Sequence, residues 1–287
     1  VHWVGARAYI EDGLSPYSDE VALRIQEIAY GRPAQDGEHE LRIAYPLYSI
    51  LIFLPFALIK EYVLARAIWM TLLEAGIIIF AFITLRLSTW RPKPIMLVFF
   101  LLFSVFWYHS LRPIILGNVV ILVAFGLALS VYAIRNGNYE LAGVILAFTT
   151  IKPQVVLIPV VFLLLWGIFN KKWKIIFWFG ATLFLLIGFS SLLIPDWILQ
   201  NLREVLRYPE YNPPGNISSA LAALMPASGK RVGLAISIII GLVLVIEWII
   251  SIRSEFYGFY WTFCLTLVVS LWIGLQTDPG NFPPVSC

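Results

Sequence analysis

The sequence predicts an all-α protein of the membrane: a polytopic transmembrane helix bundle with a folded polar first loop and broken or re-entrant helices. Three observations carry this. Apolar residues make up 60% of the 287 and charged residues 13%, where a soluble domain holds about half and a quarter. Several runs reach the roughly 20 apolar residues that cross a hydrocarbon core. The runs are also continuous, as in Val232 to Ile252, whereas an outer-membrane barrel alternates apolar and polar residues over short segments. With the bilayer as solvent, helices satisfy the backbone, and about seven or eight of them are expected.

Residues 1–42 carry eight acidic and four basic side chains, with turn signals at Asp12-Gly13, Ser15-Pro16, Gly31-Arg32-Pro33 and Asp36-Gly37. Ser18 to Tyr30 reads as one short helix with Ser18 or Asp19 as N-cap and apolar Val21, Leu23, Ile25 and Ile28. This stretch is expected as a polar loop at the membrane surface, and residues 43–287 as the transmembrane bundle. Apolar segments follow at about 43–59, 63–85, 95–108, 118–134, 140–169, 175–195, 232–252 and 258–276. The fifth is interrupted by Lys152-Pro153, the mark of a broken or re-entrant helix. A long connection, 196–231, begins with an amphipathic piece, Trp197 to Leu206, and continues through turn-rich Tyr211 to Asn216.

Lysine and arginine in short loops set orientation. Arg86, Arg91 and Lys93, then Arg135, then Lys171, Lys172 and Lys174, and Arg253 read as cytoplasmic, which places Arg112 to Asn118, Lys152-Pro153, 196–231 and Asp278 on the opposite face. These assignments agree if 140–169 is a hairpin turning at Lys152. Residues 1–42 conflict with them, because two early crossings separate that loop from Arg86.

Ionisable groups at membrane depth are functional candidates. Lys152, at the turn of a broken helix, has the charge and position to hold a phosphate, with snorkelling to the interface as the plain alternative. Arg112 precedes Gly117-Asn118 at another helix start on the same face. Glu74 and Glu247 fall inside apolar runs, as a proton-coupled transporter or a helix-to-helix hydrogen bond would require. Glu11, Asp12, Asp19 and Glu20 are the candidate general bases of the first loop. His2, His39 and His109 lack metal-ligand spacing, and Cys264 and Cys287 build no cluster. Asn216-Ile217-Ser218 matches a glycosylation sequon with nothing else to support modification, and no phosphate-binding glycine loop occurs, which argues against an ATP-driven pump. No metal, cofactor or nucleic-acid partner is called for.

Five pieces, in order along nearly the whole chain, resemble glycosyltransferase family 87 of the GT-C superfamily. They are Val1 to Ala8 with Gly13 to Tyr17; Ala44-Tyr45-Pro46-Leu47; Gly117-Asn118-Val119-Val120; Leu141-Ala142-Gly143 leading to Ile151-Lys152-Pro153 and Lys171-Lys172-Trp173; and Asn216-Ile217-Ser218-Ser219. The resemblance implies transfer of a mannose-like hexose from a polyprenyl-phosphate donor to a lipid or glycan acceptor, with inversion, at the extracytoplasmic face of a plasma membrane of bacterial type. Lys152, Arg112 and Asn118 are then expected at the donor phosphate, with Tyr17, Tyr45, Asn216, Ser218 and Asp278 around one substrate cavity.

In such enzymes the loop acid lies just after a first transmembrane helix, upstream of the stretch matching Val1 to Ala8. The sequence therefore reads as a fragment, and Asp19, then Glu20, is the expected base if the base lies within it. The resemblance also places residues 1–42 outside the cytoplasm, so one early segment does not cross, and the shortest, 95–108, is the expected one. A transporter or flippase for a lipid-linked or small anionic substrate is the competing reading, although no second copy of the Lys152-Pro153 break supports it. A non-catalytic scaffold or partner subunit is a third.

Overall fold

Two of the breaks in the apolar runs are set by prolines, Pro55 and Pro153, while Pro113 and Pro159 lie inside helices. The computed structural model describes residues 1–212 and 215–273, and the regular elements in them are α-helices. In chain order these are α1 (His2–Asp12), α2 (Asp19–Tyr30), α3 (Leu47–Leu51), α4 (Leu54–Ala57), α5 (Tyr62–Ser88), α6 (Pro94–Phe106), α7 (Tyr108–Leu116) and α8 (Val120–Arg135). Then come α9 (Tyr139–Thr149), α10 (Pro153–Phe169), α11 (Trp173–Leu193), α12 (Trp197–Tyr211), α13 (Ile217–Leu224), α14 (Gly229–Ser251) and α15 (Phe256–Ile273). A proline removes an amide donor and its ring collides with the carbonyl four residues back. Four residues before Pro55 is Leu51, the end of α3, and four before Pro153 is Thr149, the end of α9.

Four helices, α5, α11, α14 and α15, are long and apolar enough to cross a bilayer, and α6 with α7 makes a fifth if the pair, bent by 47°, is one span. The early run 43–59 supplies no span-length helix, being cut by Pro46 and Pro55 into α3 and α4. The 95–108 segment, expected to be the one that does not cross, is not span-length by itself either: it becomes α6, the first arm of the bent pair, which is a broken span or a re-entrant loop. Its break falls at Trp107, whose ψ of 136° leaves the helical region.

The described residues form two compact units, 1–69 with 184–212 and 70–183 with 215–273, so that α5 and α11 each belong partly to both. In the first, α1 was not anticipated among the turn signals. It buries Val4, Gly5, Ala6 and Ala8, and Trp3 Nε1 donates to the Phe56 carbonyl at 3.0 Å. Helix α2 starts where expected, with the Ser18 hydroxyl accepting from the Val21 amide, and it stops at Gly31, whose φ of 71° suits glycine. After it, Arg32 grips the Glu38 carboxylate with two nitrogens at 2.7 and 2.8 Å, and Glu38 also accepts from the Gln35 amide.

Helix α12 extends the expected amphipathic piece to Tyr211. Ile198, Leu199, Leu202, Val205 and Leu206 line an exposed apolar face, while Trp197 and Glu204 on the other face are buried. Such a helix is built to lie along an interface.

The second unit is organised around α8, where Val120, Ile121, Val123, Ala124, Leu127, Ala128 and Val131 are all buried. Small residues permit close approach between helices in lipid, where the hydrophobic effect no longer drives them together. A Cβ on Gly143 of α9 would meet the Ile175 carbonyl and the Phe179 amide of α11, and a Cβ on Gly126 of α8 would meet Thr149. Gly229 and Gly233 of α14 likewise admit the backbone of α13 at Leu221 and Ser218. Trp248 Nε1 donates to Thr266 Oγ1 at 2.8 Å between α14 and α15, and Phe162 of α10 stacks on Phe259 of α15.

Helix ends in this unit sort by charge. Arg135 bonds the Arg86 carbonyl and lies over the Phe256 ring, Lys172 lies over the Tyr139 ring, Lys174 pairs with Glu140 at 2.5 Å, and Asn170 donates to the Ile252 carbonyl. Since Glu140 opens α9 and Lys172 and Lys174 follow α10, α9 and α10 form a hairpin with its apex at 150–152. The turn expected at Lys152 is therefore present.

Two measurements check this packing. Gly143→Leu, which drives a side chain into α11 backbone, is expected to cost about 3 kcal/mol or more and to lower the melting temperature in detergent. Gly180→Ala, which meets nothing, is expected to be neutral or slightly stabilising. The second concerns pH. Arg32 and then the Gln35 amide hold the Glu38 carboxyl down to about 2 from 4.5. A depressed carboxyl stabilises the fold above its unfolded value and loses that contribution as pH falls toward the folded one. Gln35 amide protection should stay flat above about 4.5 and decline below it; loss of protection at neutral pH would show that the pair does not order the loop.

Candidate active site

In the second unit, the helix break at 150–152 brings together two of the three expected donor-site residues. Lys152 is the N-cap of α10, with φ −131° and ψ 73°, and is 2% exposed. Its Nζ donates to Asn118 Oδ1 at 2.8 Å. Asn118 follows Gly117, whose φ of 64° ends α7, and its Oδ1 also accepts from the Val120 amide at 3.1 Å. One asparagine oxygen therefore caps the start of α8 and anchors a buried ammonium at the apex of the α9–α10 hairpin. An ammonium beside two helix starts forms an electropositive niche, because the first amides of each helix point outward from it. Arg112, on α7, is half-buried and its Nη1 bonds the Tyr108 hydroxyl at 2.8 Å on the same helix.

Asn216 and Ser218 have local roles in the same unit. Asn216 caps α13, its Oδ1 accepting from the Ser219 amide at 3.0 Å and the Ser219 hydroxyl at 3.2 Å. Ser218 backs onto Gly233. Glu74 is exposed on α5 and Glu247 is half-exposed on α14. Asp278 lies outside the described residues.

The first unit holds the expected bases in ion pairs. Asp19, at the first position of α2, bonds Arg42 at 2.5 Å with its side chain 82% exposed. That hydrogen bond, and the charge of Arg42 behind it, hold the Asp19 carboxyl below its ordinary value. Glu20 pairs with Arg24 at 2.7 Å, and Arg24 also takes Asp12 at 2.5 Å. Arg7 pairs with Glu11 one helical turn away. The Tyr17 hydroxyl donates to the Tyr45 carbonyl at 2.7 Å and burial pushes it above the usual phenol range, so it straps the chain ahead of α3. The Tyr45 ring lies 4.5 Å from that of His2.

Sequence reasoning missed the node around Arg42. Its guanidinium binds Asp19, Glu40 at 2.7 Å and Glu204 of α12 at 3.4 Å, and Arg207 of α12 reaches Glu40 at 3.1 Å. Leu41, between Glu40 and Arg42, has a φ of 53°, a left-handed conformation uncommon for a leucine, and its amide donates to His39 Nδ1. Glu204 is 8% exposed, and burial raises its carboxyl above the ordinary range, against the pull of Arg42 and Arg207. Only the amphipathic period of α12, which puts Glu204, Arg207 and Tyr211 on one face, signals this in the sequence.

No curated protein and no solved structure matches the chain. The model of glycosyltransferase family 87 matches residues 44–273, well over half of the sequence, and takes in Lys152, Asn118 and α12. With four or more apolar helices fit to cross a bilayer, the chain belongs to glycosyltransferase family 87 and is a multi-pass membrane glycosyltransferase.

Proposed function

We propose that the protein transfers a mannose-like hexose from a polyprenyl-phosphate donor to a lipid or glycan acceptor at the extracytoplasmic face, with inversion at the anomeric carbon. The observation that supports this is Lys152, a buried ammonium fixed by Asn118 where α8 and α10 begin. As the glycosidic bond breaks, negative charge grows on the departing phosphate. A cation and helix amides placed beforehand at that point favour the transition state over the ground state. Arg112, on the helix that leads into Asn118, supplies a second cation to the same donor in this reading.

Sidedness follows from counting crossings. Because 43–59 supplies no span-length helix, α5 alone separates residues 1–61 from the basic loop at 86–93. In this reading the positive-inside tendency assigns the first loop to the extracytoplasmic side, which agrees with the family resemblance. A transporter gains nothing from Glu74, which is exposed on α5.

Asp19 suits a structural pair better than proton abstraction, since Arg42 weakens it as a base. Asp19→Asn is expected to change transfer by less than about threefold, whereas loss of a true general base costs about 10²–10⁴. A loss of that larger size in a folded variant would make Asp19 the base after all.

The donor reading is tested with full-length protein in proteoliposomes supplied with a radiolabelled polyprenyl-phosphate hexose. Lys152→Ala is expected to lower kcat/KM about 10²-fold, or about 2.7 kcal/mol of transition-state stabilisation, and to weaken inhibition by sugar-free polyprenyl phosphate. Undiminished transfer by the variant would remove Lys152 from the phosphate site.

A further inference from the structure

The Arg42 node leaves two buried polar atoms unanswered. Glu204 Oε1 faces Arg42, but Glu204 Oε2 is buried and accepts no hydrogen bond, and the Tyr211 hydroxyl is buried with none either. Glu204 and Tyr211 are seven residues apart, two turns of α12, and so share a face. Leaving a buried carboxylate oxygen and a buried hydroxyl unpaired is unfavourable, so each atom gains from a third group that reaches it.

Their chemistry restricts that group. Glu204 Oε2 accepts only, while the Tyr211 hydroxyl has a proton to give. A phosphate meets repulsion from Glu204, Glu40 and Asp19. An amine satisfies Glu204 but leaves the tyrosine proton unused, and it faces Arg42 and Arg207. A hydroxyl satisfies both atoms, donating to the carboxylate and accepting from the phenol. The walls suit the same ligand: the His39 ring lies edge-on to Tyr211 at 5.0 Å, and Tyr208 edge-on at 5.3 Å. Around them stand the half-exposed carboxylate of Glu40 and the guanidinium of Arg207. Aromatic faces for C–H groups, with charged donors and acceptors around them for hydroxyls, match a pyranose ring.

We propose that Glu204 and Tyr211 form a hydroxyl-binding subsite for a sugar ring of the acceptor, held against His39 and Tyr208. This rests on the reading of the protein as a transferase with a glycan-bearing acceptor, and it adds the residues that recognise that acceptor.

The test uses full-length protein in nanodiscs and three probes, the methyl α-pyranosides of mannose, glucose and galactose, followed by saturation-transfer NMR. At least one probe is expected to bind. Tyr211→Phe, which removes one oxygen, and Glu204→Gln, which keeps the shape, should each weaken it about tenfold or more, while Leu206→Ser on the exposed face of α12 leaves it unchanged. Melting curves confirm that each variant is folded. In the transfer assay the same two variants should raise KM for the acceptor and leave KM for the polyprenyl-phosphate hexose as it was.

Binding by neither wild type nor variants, or equal binding by all, overturns the subsite and leaves the two atoms to ordered water. Transfer with unchanged acceptor KM in both variants overturns it too, while the donor reading survives. Binding that depends on Glu204 and Tyr211 in a protein that transfers nothing from polyprenyl phosphate keeps the subsite and sinks the donor reading.

Discussion

Hydrocarbon offers no partner to a bare amide, and that constraint governs where this chain leaves the helical state. In the second unit the turns at Gly117-Asn118 and Thr150 to Lys152 interrupt apolar sequence, and each is answered from within the protein. Asn118 closes the start of α8 with its own oxygen and takes Lys152 on the same atom. Thr149 and Thr150 turn their hydroxyls back onto the Leu146 and Ala147 carbonyls. Breaking a helix in such surroundings is tolerated only where side chains replace the missing backbone partners. The replacements are polar groups, and so the break gathers polar chemistry that the apolar sequence otherwise lacks.

A second consequence concerns proximity. Helices in lipid gain little from hiding apolar surface, so they must touch closely to hold together. Gly126, Gly143, Gly229 and Gly233 supply that closeness, each where a neighbouring side chain or main chain presses in. The Gly143 contact fixes α9 against α11, and through the hairpin it fixes the position of the Lys152 apex.

Much of the fold could be read from the residues. The apolar runs, the Ser18 cap, the hairpin turning at Lys152 and the amphipathic start of α12 all follow from local rules of period, charge and turn chemistry. The loss of a span-length helix at 43–59 did not follow from length; it followed from Pro55 and the carbonyl it displaces at Leu51. Helix α1 was hidden because its buried apolar residues, Val4, Ala6 and Ala8, are small and sit among charges that pair along the helix, as Arg7 does with Glu11.

The candidate site was legible only in part. Lys152 and Asn118 announce themselves as polar residues among apolar ones. Glu204 looks like any surface acid until the fold buries it beside Arg42, which lies 162 residues earlier. Tyr17 and Asn216 carry local roles that the sequence did not announce, the one strapping a loop and the other capping a helix.

Helix α12 has two faces with different solvents. One carries Ile198, Leu199, Leu202 and Leu206 outward, and the other holds Glu204 against Arg42. The outward face gains by dipping into acyl chains, and the inward face by keeping Glu204 within reach of Arg42. The same helix thus meets acyl chains on one side and a charged node on the other. A protein taken into detergent exchanges those chains for a curved, compressible surface, so the helix that carries Glu204 then rests on a different fluid.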